Sequence, residues 1–279
     1  MNASHTSQGT RRPLGRVLVI AGSDSGGGAG IQGDIKTITC LGGYASAAVT
    51  ALTAQNTIGV YGIHEVPDEF IKQQIQLVLD DIGADAIKTG MLHKASVIEV
   101  VADTIAPCTH SIPFVLDPVM FAKGGAALLQ PDAVELLKKR LIPLAALITP
   151  NIPEAEHLAN MAIKTTQDME IAAAHILDLG CKAILIKGGH LEGNAVTDML
   201  ITPGSKEIFT QPRIHTAHTH GTGCALASAI AAGLAQGMSL TDAVKRAREF
   251  VRKAIENAPG LGKGHGPLGH NPAAWRGPV

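Results

Sequence analysis

The chain has 279 residues, 46% hydrophobic, 17% charged and only 3% aromatic, with a formal net charge of −1. That length buries a large core, as one α/β domain or two small ones, and Ala, Val, Ile and Leu must fill it. The lack of a basic block and of stacking side chains argues against a nucleic-acid partner, and no apolar run approaches the ~18 residues of a membrane span.

In chain order, residues 1–13 are polar and irregular and read as a disordered tail, with 14–279 as a single domain. Arg11-Arg12 ahead of Val17–Ala21 has the outline of a twin-arginine signal, but the apolar run stops at Ser23-Asp24, so export is not expected. Arg16–Ala21 predicts a strand and Ile31–Leu41 a helix; Ala45–Leu52 and Gly59–Val66 are strand-like. Pro67 opens a helix to about Asp80, because Phe70, Ile71, Ile75, Val78 and Leu79 follow the helical period. Further strands are expected at Ala86–Thr89, Phe114–Leu116, Ala146–Ile148 and Ala183–Lys187. Helices are expected at Ala95–Ile105, Pro131–Leu141 and Thr166–Leu179. Ala195–Ile201 and Ser205–Thr210 read as a hairpin around Pro203-Gly204, and helices at Gly223–Gln236 and Leu240–Asn257 close the pattern. Alternating helices and uniformly apolar strands predict a largely parallel sheet covered on both faces.

In such sheets ligands sit beyond the carboxyl ends of the strands. The first strand runs into Ala21–Gly30, whose glycines suit either a phosphate cradle or a tight turn; the Lys-Ser/Thr ending of a P-loop is missing. His220-Gly221-Thr222-Gly223-Cys224 starts a helix, where first-turn amides and the dipole favour an anion. A cysteine there is expected to have a lowered pKa and to serve as base or nucleophile, although the segment taken alone fits a buried structural cysteine better. Asp117, Asn151, Glu154 and Lys187 each follow a short apolar strand. Each fits an ordinary cap or loop, but together they supply oxygen ligands for a hard cation and a positive charge for phosphates, as a Mg²⁺–nucleotide site requires. His215, His218 and His220 lack the spacing of a zinc site and read as solvated or locally bonded residues in an extended strand. Lys245–Arg252 reads as a solvated helix face, and the five glycines of Gly260–Gly269 as a flexible tail or lid. Cys40, Cys108, Cys181 and Cys224 form no CxxC pair, which suits reduced thiols in the cytoplasm.

The ordered set AGSDSGGGAGIQGDIKT, VTALTAQNT, KTGML, VLDPVM, TPNIPEAE, IKGGH, THGTGC and GKGHGP spans residues 21 to about 267. It resembles the hydroxymethylpyrimidine/phosphomethylpyrimidine kinases of thiamine biosynthesis, in the ribokinase-like superfamily. The resemblance implies a three-layer α/β sandwich with a central, mainly parallel sheet. It also implies ATP-dependent phosphorylation of the pyrimidine alcohol and then of its monophosphate, with Mg²⁺ and often in a homodimer. Gly22, Asp34, Gln55, Met91 and Val119 would surround the pyrimidine, Asp34 holding its amine or ring nitrogen. Asn151, Lys187 and Lys263 would face the nucleotide, and Asp117 and Glu154 the metal or its waters. Gly221, Thr222 and Gly223 would hold the transferring group through their amides. Cys224 would accept or orient the hydroxyl proton, so that its loss is expected to lower turnover more than binding. Several positions depart from the family pattern: Gly26 follows Ser25 where a second serine is common, and Gly33 replaces an alanine. Ala225 and Ala227 stand where hydroxyl residues are frequent. The competing readings are a pyridoxal or pyridoxine kinase and a non-catalytic pyrimidine sensor.

Overall fold

The computed structural model describes residues 15–122, 125 and 127–270; the tail expected at 1–13 lies outside the described residues. The first strand, β1 (Arg16–Asp24), sends alternate side chains to opposite faces. Leu18 and Ile20 join one hydrophobic cluster, Val17, Val19 and Ala21 the other. A strand apolar on both faces must be covered on both, and this one is.

The chain continues through α1 (Gly30–Cys40), β2 (Tyr44–Gln55), β3 (Val60–Glu65), α2 (Asp68–Asp81), β4 (Ala86–Thr89), α3 (Ala95–Ile105) and β5 (Phe114–Leu116). It then forms α4 (Pro131–Leu136), β6 (Leu147–Ile148), α5 (Ile152–Ala159), α6 (Thr166–Leu177) and β7 (Ile184–Ile186). The hairpin β8 (Ala195–Thr202) and β9 (Ser205–Pro212) precedes α7 (Thr222–Ala235) and α8 (Leu240–Glu256). The sheet order is β3-β2-β1-β4-β5-β6-β7-β8-β9. Strands β2, β1, β4, β5, β6 and β7 pair in parallel, while β3, β8 and β9 are antiparallel at the edges. This is the expected α/β sandwich: α2 to α6 pack on one face and α1, α7 and α8 on the other. Successive strands leave β1 in opposite directions, to β2 and to β4, so their carboxyl ends open a crevice there.

Four expectations need correction. The helix expected over Pro131–Leu141 is α-helical only to Leu136; a π-turn at Leu137–Leu141 and a 3₁₀ turn at Ile142–Leu144 follow. Pro143 explains the change, since it lacks an N–H and its ring would clash with the Lys139 carbonyl of a continued α-helix. Residues 213–220 form no strand beyond an isolated bridge of His220 to Pro267. Arg213 turns the chain instead, its guanidinium donating to the carbonyls of Gly189 and Gly193, each at 2.8 Å. The charge run on α8 is not wholly solvated. Arg248 is buried, its Nε donates to Asp198 Oδ2 at 2.7 Å, and its guanidinium stacks 5.3 Å from the Phe209 ring.

The glycine-rich segment 260–269 is a pinned strap rather than a loose end. His265 N donates to Thr57 O (2.8 Å) and Gly264 N to Thr57 Oγ1 (3.2 Å). Gly269 N donates to Ala254 O (2.9 Å). A Cβ at Gly262, Gly264 or Gly266 would collide with Thr57 or His218, so only glycine permits the close fit.

Candidate active site

A cavity of about 760 Å³ runs along the carboxyl ends of the parallel strands. One wall is the loop between β1 and α1. Asp24, at the end of β1, is almost fully buried because its carboxylate collects the loop's amides: Gly26 N on Oδ1 at 2.8 Å, Gly28 N and Ala29 N on Oδ2 at 3.1 and 2.8 Å. Burial raises its pKa, but His220 and these amides outweigh that and hold it below the usual carboxylate value. The glycines therefore form a turn organised around their own carboxylate, which settles the choice left open between a turn and a phosphate cradle.

The facing wall is the start of α7. Gly221 is its N-cap at φ +85°, a backbone that L side chains rarely adopt, and a Cβ there would collide with the Gly28 carbonyl. The first amide bonded within the helix is Ala225 N, to Gly221 O at 2.9 Å, so those of Gly223 and Cys224 precede the ladder, and that of Thr222 makes only a long bond outside it, to Thr219 O at 3.4 Å. Lys187 lies alongside, its Nζ only 3.2 Å from where a Gly223 Cβ would sit. Its ammonium donates to Asp117 Oδ1 at 3.0 Å, as does Thr149 Oγ1 at 3.3 Å.

Glu154, expected at a polar strand end, belongs to the first turn of α5. The signal was present: Asn151 and Glu154 form a capping box, with Glu154 N on Asn151 Oδ1 at 2.9 Å and Asn151 N on Glu154 Oε2 at 2.8 Å. Asn151 thus lines the cavity with its oxygen already committed and its NH₂ group left to offer. Burial pushes the Glu154 carboxyl up to about 7, reinforced by Asp117 and opposed by Lys187.

Cys224 lines the cavity but does not have the lowered pKa expected of a helix start. Burial pushes the thiol up to about 12, and Asp34 and Asp117 reinforce this; Lys88 and the Gly30 amide only partly oppose it. The neighbouring carboxylates and desolvation outweigh the dipole of one helix turn.

Gly22, Gln55, Met91 and Val119 also line the cavity, as do Asn151, Glu154, Asp117, Lys187 and Gly221 to Cys224. Gly22 allows Met91 to lie flat on the loop, since a Cβ would strike the Met91 methyl.

Two expected residues are elsewhere. Asp34 is fully buried beneath the cavity, accepting from Lys88 Nζ at 2.7 Å and Ser228 Oγ at 2.6 Å, so both its oxygens are engaged in the core and it does not line the cavity. Lys263 is exposed on the strap and does not line the cavity, because its neighbours Gly262 and Gly264 are fixed against Thr57.

Lys88 was missed for the opposite reason: inside an apolar strand, its charge gave no sign of an outlet. Burial alone would discharge it, but Asp34, Cys224 and Asp117 outweigh that and raise its pKa. His220, expected to be solvated or locally bonded, instead lines the cavity and bonds the distant Asp24. Gly33, unusual within a helix, lets α1 approach the Gly28 carbonyl, which would lie 3.0 Å from a Cβ at that position. Ala225 and Ala227 are fully buried in the core.

An anion brought to the start of α7 meets amides and the Lys187 ammonium, while Asp117 and Glu154 next to it call for a cation. That charge pattern, at the strand ends of a ribokinase-like α/β sandwich, defines a small-molecule phosphotransferase. The chain belongs to the phosphomethylpyrimidine kinase family, whose model matches residues 24–269. It is 48% identical to the hydroxymethylpyrimidine/phosphomethylpyrimidine kinase of Bacillus subtilis, over 91% of this chain and 94% of that one. It is 50% identical to the thiamine biosynthesis bifunctional protein ThiED of Geobacter sulfurreducens, covering 94% of this chain but only 53% of that longer protein. Among solved structures, an ADP complex of Bacillus subtilis pyridoxal kinase superimposes with a TM-score of 0.86 at 36% identity, covering 94% of this chain and 99% of that one. Among the described residues, no helix is long and apolar enough to cross a membrane.

Proposed function

We infer that the chain uses ATP to phosphorylate 4-amino-5-hydroxymethyl-2-methylpyrimidine, and then its monophosphate, in thiamine biosynthesis. The observation that carries this reading is the Lys187 ammonium set against Gly223 at the start of α7, beside Asp117. The substrate oxygen attacks the γ-phosphorus, the bond to the β-phosphate oxygen breaks and ADP leaves; in the first step the hydroxyl proton passes to an oxygen of the transferred phosphoryl group or to water, and in the second the phosphate oxygen attacks as an anion. Transfer through a loose transition state depends on placement and charge neutralisation more than on a strong base. The amides of residues 222–224 and Lys187 hold the transferring group, and the NH₂ group of Asn151 meets the nucleotide phosphates.

Asp117 and Glu154 suit Mg²⁺ as donors: two buried hard oxygens, too few for a closed cage and apt for a cation shared with phosphates. They would hold it directly or through its waters, and when bound it neutralises phosphate charge. Gln55, Met91, Val119 and Gly22 form the pyrimidine side of the site. The same reading includes a cytosolic location and a homodimer, the latter supported by the exposed Tyr61 on the edge strand β3.

Cys224, kept neutral by its surroundings, orients the substrate hydroxyl and does not carry its proton away. Cys224→Ala is expected to lower kcat by ~10–100-fold with little change in KM, less than the loss of a true general base. Steady-state kinetics check this, and an unchanged kcat removes Cys224 from the mechanism.

The function itself is tested by coupled ADP release with the pyrimidine alcohol, its monophosphate and pyridoxal side by side. Turnover of both pyrimidines is the expected result. Activity on pyridoxal alone would replace this reading with the pyridoxal kinase one, which the 36% identical structure keeps in view. Pyrimidine binding without ADP release would favour a sensor.

A further inference from the structure

Gln55 ends β2 at the cavity wall, and its backbone is fastened to the glycine loop. Ser25 Oγ donates to Gln55 O at 2.8 Å and accepts from Gln55 N at 2.9 Å. What remains free is the side-chain amide, whose oxygen and nitrogen have the same shape but opposite hydrogen-bonding character. Its Nε2 lies 3.3 Å from His220 Nε2 and its Oε1 3.1 Å from Thr53 Oγ1.

Both neighbours fix the same orientation. His220 Nε2 is also 2.8 Å from Asp24 Oδ2, which already accepts from the Gly28 and Ala29 amides. A carboxylate so placed can only accept, so Nε2 must carry a hydrogen, whether the imidazole is neutral or charged. A Gln55 NH₂ group facing that N–H would set donor against donor; the carbonyl oxygen does not. At the other end, Thr53 has one hydroxyl hydrogen and gives it to Ser23 O at 2.8 Å. Its oxygen can then only accept from Gln55. These partners are satisfied only with the two ends of the amide exchanged, its carbonyl facing His220 and its NH₂ group facing Thr53.

We propose that His220 is a positioning residue which, with Thr53, locks the Gln55 amide in one orientation and so sets the hydrogen-bond pattern of the alcohol the enzyme accepts. The locked amide has one oxygen lone pair and one N–H left for a ligand. Together they match the exocyclic amine and adjacent ring nitrogen of a 4-aminopyrimidine. A 4-oxo analogue presents the reverse, a ring N–H beside a carbonyl, and binds well only if Gln55 turns over. Free glutamine accommodates either ligand by rotating; held glutamine discriminates, because the wrong ligand leaves buried polar groups unpaired. The proposal rests on Gln55 reading the pyrimidine.

The test compares kcat/KM for 5-hydroxymethyl-2-methylpyrimidine carrying a 4-amino or a 4-oxo group. The native enzyme is expected to prefer the amino compound by at least ~100-fold. His220→Phe is expected to shrink that ratio at least ~10-fold, chiefly through KM, and His220→Gln, which keeps an N–H, to restore part of it. Thr53→Val releases the other end of the lock and loses the bond to Ser23 O but leaves Asp24 and the amides it holds in place, and should shrink the ratio even if His220→Phe folds poorly. A ratio preserved in both His220→Phe and Thr53→Val, with the two substrates declining together, gives His220 a purely structural role and overturns the proposal. Gln55→Ala separates the layers: a preference that survives it refutes the reading of Gln55 itself, whereas one lost there but kept in the other variants refutes only the lock.

Discussion

Gly221→Ala is expected to lower kcat/KM by about 10³-fold while the protein remains folded. Two costs meet at this residue. Its φ of +85° is strained for alanine by roughly 1–2 kcal/mol. The new methyl would also collide with the Gly28 carbonyl and lie 3.3 Å from Ala29 Cα. That backbone cannot simply retreat, since both Gly28 N and Ala29 N are tied to Asp24. The helix start must move instead, taking with it the amides proposed to hold the transferring group. Removing one such donor costs about 10²–10³ in rate, and a shift of about 1 Å in the site costs ~10²-fold. Steady-state kinetics with both substrates, alongside a thermal melt, check this. A native kcat/KM in a folded variant would show that phosphoryl transfer does not depend on the start of α7.

Asp34→Asn is expected to be the most destabilising single change at the site. Lys88 is fully buried, and its charge is sustained by the carboxylate 2.7 Å away. Breaking a buried pair from one side costs about 3–5 kcal/mol, because the remaining charge stays desolvated. For a domain of this size that is a fall in Tm of ~10 °C. Replacing both partners, Asp34→Leu with Lys88→Met, should recover much of the stability. Activity should stay low in the double variant, since Lys88 borders the cavity beside Cys224 and Asp117. Full activity in a stable double variant would reduce the pair to a packing element.

These two sites also mark the limit of what the sequence made legible. The strands β4 and β5 and the helix α3 stand where short apolar runs and helical periodicity put them, because local pattern and tertiary burial agree. Gly221 to Cys224 and the strand-end groups Asp117, Glu154 and Lys187 were found for a similar reason: position at a strand end or helix start is itself encoded locally. Asp34 and Lys88 are 54 residues apart and could not be paired by inspection. Asp34 was assigned to the ligand by a family motif, yet its depth in the core is set by α7, through Ser228. His220 was passed over because its partners, Asp24 and Gln55, lie 196 and 165 residues away in the chain. The Cys224 pKa was misjudged because the helix dipole is visible in sequence and desolvation is not.

The Asp24–His220 bond has a consequence for how the molecule comes into being. It joins the first strand to the last helix pair, and the neighbouring His220 N reaches further still, to Gly266 O at 3.1 Å. As the chain is synthesised from its N-terminus, β1 can pair with β2 and β4 long before either partner of that bond's far side exists. The Gly26–Ala29 turn can close on Asp24 early, but the wall it faces is built only from residues 220 to 267. Closing so long a loop comes late in folding, after local contacts are made. The catalytic cleft is therefore completed late, when the start of α7 meets the loop already closed on Asp24, and a chain cut short before residue 220 lacks that wall.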